Sequence, residues 1–497
     1  MDETTLTLHT DFQAGEVDPR IFGGFIEHLG RGVYGGIFDP DSRSADQNGF
    51  RSDVLQALRR LRMTAMRYPG GNFVSGYHWE DGIGPRPNRQ TTFEMAWQTI
   101  EPNLFGTDEF MKLAKMLGWT PMIAVNLGTG TPEEARNWVE YCNAPLGTKY
   151  ADRRRQNGEP EPYGVKLWCL GNEMDGPWQI GHVPAEAYAI RAQQAAKMMK
   201  DTDPGIELVA SGSSGPGMPT YPDWDRQVLE YLGDYADYIS LHRYVGDPEN
   251  DTAEFLAVSS TFDHQIEDID AVCRLVQAKT RSKKRHFLAF DEWNIWYRTG
   301  DSIHSADKAF PRRINEEKYN LEDALVTAEF FNSFIRHAGV VKIANLAQVV
   351  NVGAPVFVEG ERLVLQANFF PFEMYAKRRE GVSLQPVING PGYATRQFGY
   401  AQMIDASAIL GDGRLHVFLV NRSQAGNHMV TLELFGKGLA SLSSAEILTG
   451  PGPFAMNSLE TPNVITSRPF GTVKIEAGKA SIEMPPLALG AMTFKVE

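Results

Sequence analysis

The sequence predicts an α/β fold: a (β/α)8 TIM barrel followed by an all-β C-terminal sandwich. Three observations carry that expectation. Short apolar runs alternate with helical patterns from about residue 18 to 350, the helical period stops near residue 375, and alternating segments punctuated by glycine and proline fill the rest. A chain of 497 residues also exceeds what one hydrophobic core holds, since single cores stop growing near roughly 250–300 residues. The expected division is a barrel over 18–375 and an antiparallel sandwich over 376–497, which also takes the N-terminal strand within 1–17.

Taken in order, TLTLHT (5–10) alternates in the manner of the C-terminal segments, which is why it is assigned to the sandwich. Eight barrel runs follow: IFGGFI (21–26), TAMRY (64–68), PMIAV (121–125), VKLWCL (165–170), IELVA (206–210), YISLH (238–242), HFLAF (286–290) and KIANLA (342–347). Amphipathic stretches lie between them, among them SDVLQALRRL (52–61), AEAYAIRAQQAAKMM (185–199) and LEDALVTAEFFNSFIRHA (321–338). Thr131, Pro132 and Glu134 supply an N-cap, a first-turn proline and a capping-box glutamate for one more helix. NLGTGT (126–131) follows the third run rather than the first and lacks a third glycine, so it does not read as a nucleotide loop. The sandwich is built from RLHVFLVNR (414–422), HMVTLELF (428–435), TVKIEA (472–477), ASIEM (480–484) and AMTFKV (491–496).

Bulk properties narrow the function. A net charge of -14 argues against nucleic acid, which demands a basic face, and the runs Arg153 to Arg155 and Lys283 to Arg285 read as solvated loops or helix ends. Cys142, Cys169 and Cys273 are isolated in apolar surroundings, neither a disulfide framework nor a metal site. The start MDETTLTLHTDF has no basic or apolar leader, and no stretch of about 18 apolar residues occurs, so no membrane partner is expected. A cytoplasmic enzyme acting on small imported substrates fits best, with secretion lacking a cleavable signal left open.

In barrel enzymes the catalytic groups stand at the C-terminal ends of the strands. Reading outward from each run gives Glu27 and His28, Arg67 and Asn72, Asn126, Asn172 and Glu173, His242 and Tyr244, Asp291 to Asn294, and Gln348. Two glutamates on separate strands, Glu173 and Glu292, face one mouth among groups suited to bind hydroxyls and stack on sugar faces. Retaining glycoside hydrolysis needs such a pair, about 5–5.5 Å apart, one attacking the anomeric carbon and one protonating the leaving oxygen. Tyr244 and His242 are expected to hold the nucleophile, and Asn172 to reach the neighbouring sugar hydroxyl. Glu27 and Arg67 also fit a structural ion pair, and His28 and His242 fit satisfied core histidines. Trp97, Trp178, Trp293 and Trp296 fit barrel packing as well as sugar platforms, FEMAW (93–97) lying in a long loop after the second run. No His/Asp set has metal-ligand spacing.

The segments GGFIEHLGR (23–31), RYPGGNFVSGYHWEDGIGP (67–85), WCLGNEMDGPWQIGH (168–182), SLHRY (240–244) and FDEWNIWY (290–297) closely resemble glycoside hydrolase family 51, and the resemblance covers nearly the whole chain. Typical members are α-L-arabinofuranosidases. The resemblance implies a retaining mechanism with Glu173 as acid/base and Glu292 as nucleophile. It also implies a terminal arabinofuranose subsite lined by Glu27, Arg67, Asn72, Asn172, His242, Tyr244, Trp296 and Gln348, with Trp97 near it. A homohexamer without cofactor or metal, acting on arabinofuranosyl-containing oligosaccharides, is implied in the same way. Rival readings are β-xylosidase or endo-glucanase activity on the same framework, a catalytically silent carbohydrate-binding protein, which the presence of both glutamates opposes, and a metal-dependent barrel hydrolase, whose ligand set is not visible.

Overall fold

A computed structural model describes residues 2–299 and 310–497. Eight parallel strands close into a barrel, and each falls on one of the eight apolar runs: β1 (Gly23–Phe25), β2 (Ala65–Tyr68), β3 (Thr120–Val125), β4 (Leu167–Leu170), β5 (Glu207–Ala210), β6 (Tyr238–Val245), β7 (Phe287–Ile295) and β8 (Val341–Ala347). The ring closes where Ala347 of β8 pairs with Phe25 of β1. Successive side chains point to opposite faces. Met122, Ala124, Leu167, Cys169, Val209, Ala289 and Ile343 fill the barrel interior, while Ile123, Val125, Trp168, Leu170 and Leu208 meet the surrounding helices. Burial on both faces is why the runs read as unbroken apolar stretches rather than as alternation.

The helices follow their expected stripes. In α1 (Ser52–Leu61) the buried residues are Val54, Leu55, Ala57, Leu58 and Leu61, one face of a 3.6-residue period. The next helix of interest, α2 (Pro132–Asn143), starts as expected on the Thr131 hydroxyl, which accepts from Glu134 N, with proline at the first position. The capping-box glutamate is a correction: the Glu134 carboxylate lies 3.0 Å from His78 Nδ1. An imidazole supplied by the loop after β2 is the nearer donor. The stretch at 185–199 forms α3 (Ala185–Thr202), and that at 321–338 forms α4 (Leu321–Arg336).

Two sheets make up the sandwich. One has seven strands in the order Gln13–Glu16, Val382–Leu384, Ile404–Gly411, Arg414–Asn421, Ala488–Val496, Leu439–Leu448 and Arg468–Pro469. The other has five: Val387–Asn389, Asp2–His9, His428–Phe435, Lys479–Met484 and Val473–Glu476. Asp2–His9 runs parallel to His428–Phe435 and contributes Leu6 and Leu8 to the sandwich core.

Barrel and sandwich meet on α4, whose residues from Leu321 to Ile335 are all buried. A helix sunk on every side must satisfy its polar groups internally. Asn332 donates to Asp405 Oδ2 at 2.7 Å and accepts from Tyr375 and Ser407, and Arg336 reaches Asp405 Oδ1 at 2.9 Å. Phe331 is the apolar centre of this joint: it stacks on Phe22 (5.3 Å between centroids) and Tyr375 (5.1 Å) and meets Phe372 edge-on. Tyr375 in turn lies flat on Phe418 of the sandwich at 3.9 Å. Phe331→Ala should therefore destabilise the protein by ~3–5 kcal/mol, and Phe331→Leu by distinctly less. Denaturant midpoints of the two variants against the parent check this, equal losses speaking against the ring stack as the fastening.

Candidate active site

The strand ends carry the predicted residues to one cavity. Beyond β2 the turn runs through Gly70 and Gly71, and neither tolerates a side chain. A Cβ on Gly71 would stand 2.8 Å from Glu292 Oε1, and one on Gly70 2.9 Å from Glu27 Cγ. After β4 the chain reverses through Gly171 (φ 86°) and Glu173 (φ 43°). A left-handed glutamate costs roughly 1–2 kcal/mol, a strain of the kind held at functional sites by their surroundings. It turns the Glu173 carboxylate to His242, whose Nδ1 lies 2.8 Å from Oε1, and to Trp178, whose Nε1 donates to Oε2 at 2.6 Å.

Strand β7 supplies the second glutamate through an irregularity. The pairing with β6 passes from Ser240↔Ala289 to His242↔Glu292, so β7 carries one extra residue there. Asp291 and Glu292, which a regular strand would turn to opposite faces, both address the same two cations. Arg67 Nη1 reaches Glu292 Oε1 at 2.6 Å, and Arg67 Nε lies 3.2 Å from Asp291 Oδ2. His242 Nε2 lies 3.3 Å from Asp291 Oδ1. Tyr244 donates to Glu292 Oε2 at 2.8 Å, and Arg67 Nη2 donates to Asn172 Oδ1 at 2.7 Å. Single ligand atoms of Glu173, His242 and Glu292 lie within 4.8 Å of one another, which puts an oxygen of each glutamate within that distance.

The electrostatics follow from this packing. Burial opposes charge on His242, but Glu292, Asp291 and Glu173 around it push its pKa well above the usual range, so it is an imidazolium. Burial also works against Asp291, yet Arg67 and His242 hold it down to about 2. Glu27 behaves oppositely: burial first, and the charge of Glu292 second, push it up to about 8. Its oxygens accept from Phe73 N (2.9 Å), Trp97 Nε1 (3.1 Å) and Gln348 Nε2 (3.2 Å), and Gln348 Oε1 accepts in return from Glu27 N at 3.1 Å.

The resulting cavity holds about 460 Å³. Of the predicted residues, Glu27, Asn72, Trp97, Glu173, Tyr244, Glu292, Trp296 and Gln348 line it. Arg67, Asn172 and His242 are 1%, 1% and 2% exposed and stand behind its wall. Several expectations are corrected. Arg67 pairs with Asp291 and Glu292 instead of Glu27. His242 makes its short bond to Glu173 and stays 3.6 Å from Glu292. Asn126, at the end of β3, holds its own loop by accepting from Gly128 N and Thr129 N. His28, in agreement with the core reading, is a satisfied residue between Glu101 and Tyr68. Trp293 packs among Phe330, Phe331 and Phe334, whereas Trp178 and Trp296 are 51% and 43% exposed at the rim. Asn315, which no strand-end pattern marks, and Ser214, four residues past the fifth run and not singled out there, also line the cavity. Glu173, His242 and Glu292 have the mutual spacing of metal ligands, but the Arg67 guanidinium and the imidazolium already partner these carboxylates from within the protein.

Two carboxyls facing one small cavity, backed by fixed cations and rimmed by indoles on a (β/α)8 barrel, define a glycosidase site. Comparison with known proteins gives the particular family. Residues 57–265 match the model of the α-L-arabinofuranosidase 1 domain, and residues 291–488 that of the α-L-arabinofuranosidase C-terminal domain. The intracellular exo-α-(1→5)-L-arabinofuranosidase 1 of Bacillus subtilis is 42% identical over 100% of this chain and 99% of its own. A family 51 α-L-arabinofuranosidase from Bifidobacterium longum superposes with a TM-score of 0.95 at 36% identity, over 99% of this chain and 100% of that one. The arabinose complex of the Thermotoga maritima α-L-arabinofuranosidase gives 0.88 at 33% identity, with the same 99% and 100% coverage. The chain belongs to the α-L-arabinofuranosidases of glycoside hydrolase family 51.

The state of Glu27 has a measurable consequence. The folded protein keeps on this group a proton that the unfolded chain releases at its ordinary value of 4.5, and gives it up only at about 8. Its contribution is thus full below the unfolded value and is lost as pH rises through the folded one. The unfolding free energy of the parent minus that of Glu27→Gln should fall between about pH 4.5 and 8 and level off above. Urea titrations across that range read it directly, and a difference that stays flat there would mean a Glu27 ionised in the folded protein.

Proposed function

We propose that the chain is a retaining, exo-acting α-L-arabinofuranosidase that releases terminal non-reducing arabinofuranosyl residues from arabinan or arabinoxylan fragments, with Glu292 as nucleophile and Glu173 as acid/base. The observation that supports this most directly is the pair of carboxylate oxygens within 4.8 Å of each other at a cavity of about 460 Å³. Glu292 attacks the anomeric carbon while Glu173 gives its proton to the departing oxygen; the covalent ester is then hydrolysed by a water that Glu173 deprotonates. Arg67 and Tyr244 aim Glu292. His242 and Trp178 aim Glu173. Glu27, Asn72, Trp97, Tyr244, Trp296 and Gln348 bound the sugar subsite, and Asn172 keeps Nδ2, with one long contact of 3.4 Å to Gln179, for a sugar hydroxyl. The mechanism calls on no cofactor or metal.

Relatives matching the whole chain carry arabinofuranosidase names, which disfavours xylosidase or endo-glucanase activity. Several are named intracellular, in keeping with a cytoplasmic location. No helix of the described residues is long and apolar enough to cross a membrane. A homohexamer is the oligomer we propose from the family resemblance.

The two carboxylates separate by experiment. Glu292→Ala should lose several orders of magnitude in rate on every substrate. Glu173→Ala should keep its first step on dinitrophenyl arabinofuranoside, accumulate the glycosyl-enzyme, and be rescued by azide to give the arabinosyl azide of retained configuration. Azide rescue of Glu292→Ala with retention, beside a Glu173→Ala dead on all substrates, would reverse the roles.

A further inference from the structure

Trp296 sits on the cavity rim with its ring 43% exposed. Its backbone is fixed by Val245 O, which accepts from Trp296 N at 2.9 Å. Its ring meets Tyr244 only edge-on, 5.8 Å between centroids at 75°. Nothing in those contacts fixes rotation of the indole about its side-chain bonds. The remaining contact does: Trp296 Nε1 donates to Thr299 Oγ1 at 3.0 Å. That hydroxyl is itself committed, because its proton goes to Glu317 Oε1 at 2.8 Å, which leaves a lone pair directed at the indole.

Glu317 is fully buried. Its Oε1 also accepts from three consecutive backbone amides, Tyr297 N (3.1 Å), Arg298 N (2.9 Å) and Thr299 N (2.8 Å). Successive amides converging on one anionic oxygen form a rigid concave turn, and charge-assisted bonds of this kind are the strong ones. Glu317 is anchored in turn by Gln366 Nε2, which donates to its carbonyl at 3.0 Å, and by its own amide on Asn315 O at 3.0 Å. Tyr319 ties the same segment to Ile295 O of β7 at 3.0 Å.

We propose that Glu317, acting through Thr299, is a positioning residue that sets the plane of the Trp296 indole at the mouth of the active site and thereby the binding of the substrate. This rests on the reading that Trp296 contacts substrate. A carboxylate that served only to close the loop would need the three amides; the relay through the threonine hydroxyl to the indole is what gives it a part in recognition. Its influence is on KM, because Trp296 touches neither glutamate directly.

The test is a set of variants read on an aryl arabinofuranoside and an arabino-oligosaccharide. Thr299→Val removes the hydroxyl at nearly constant shape and should raise KM about fivefold with kcat within about twofold, the loss expected of one hydrogen bond. Thr299→Ser, which keeps the hydroxyl, should restore KM. Trp296→Phe has no N–H to orient, so adding Thr299→Val to it should raise KM no further. Glu317→Gln should move KM in the same direction. If Thr299→Val costs as much in the Trp296→Phe background as in the parent, the threonine acts on the loop and the proposal is overturned, as it is if Glu317→Gln lowers kcat with KM unchanged. If Trp296→Ala itself leaves KM unaltered, Trp296 does not contact substrate, and that reading fails together with the proposal.

Discussion

The guanidinium of Arg67 is the constraint on which the site depends. It is buried to 1% exposure at the end of β2, bonds Asn172 beyond β4 and Glu292 on β7, and pairs with Asp291 on β7, so it ties two other positions on the ring to its own. An arginine without partners there would be prohibitively costly, and so would three polar groups without the arginine. Each therefore fixes the others. The planar fork, facing Phe25 at 4.6 Å, makes this a geometric lock rather than a diffuse attraction, which is why lysine would not substitute. Around that lock the remaining groups fall into a second set, His242 with Glu173 and Asp291, and a third, Glu27 with Gln348 and Trp97.

Much of this was legible in the sequence because it depends on local periodicity. The eight strands were visible as apolar runs since a parallel barrel strand is buried on both faces; the end of the second run held Arg67, and reading one to three residues past the others reached Glu27, Glu173, Tyr244, Glu292 and Gln348. What was not legible depends on relations across the ring. Asp291 was on the strand-end path, but period-two alternation turns it away from Glu292; only the extra residue in the β6/β7 register brings it back. The choice of His242 between the two glutamates turns on 2.8 against 3.6 Å, and that of Arg67 between Glu27 and Glu292 on the arrangement across the ring; no spacing in the chain encodes either. Asn315 reaches the cavity from a segment twenty residues beyond the end of β7. The four tryptophans were indistinguishable as letters, yet Trp293 belongs to the packing under α4 and Trp178 and Trp296 to the rim.

The extra residue in β7 also explains how two adjacent carboxylates take different roles. Asp291 points down between Arg67 and His242 and is held at about 2, a permanent anion that balances the buried cations whatever happens above it. Glu292 shares Arg67 but has its other oxygen on the Tyr244 phenol, which burial, reinforced by Glu292, keeps protonated and hence a donor. In the proposed double displacement, forming the glycosyl ester at Glu292 removes one negative charge from this cluster. Glu173, whose oxygen lies within 4.8 Å of the Glu292 oxygen and 2.8 Å from His242, then has the imidazolium as its nearest charge and no facing carboxylate. The charges that Glu173 faces are thus changed by the covalent chemistry at Glu292, with no movement of the barrel required.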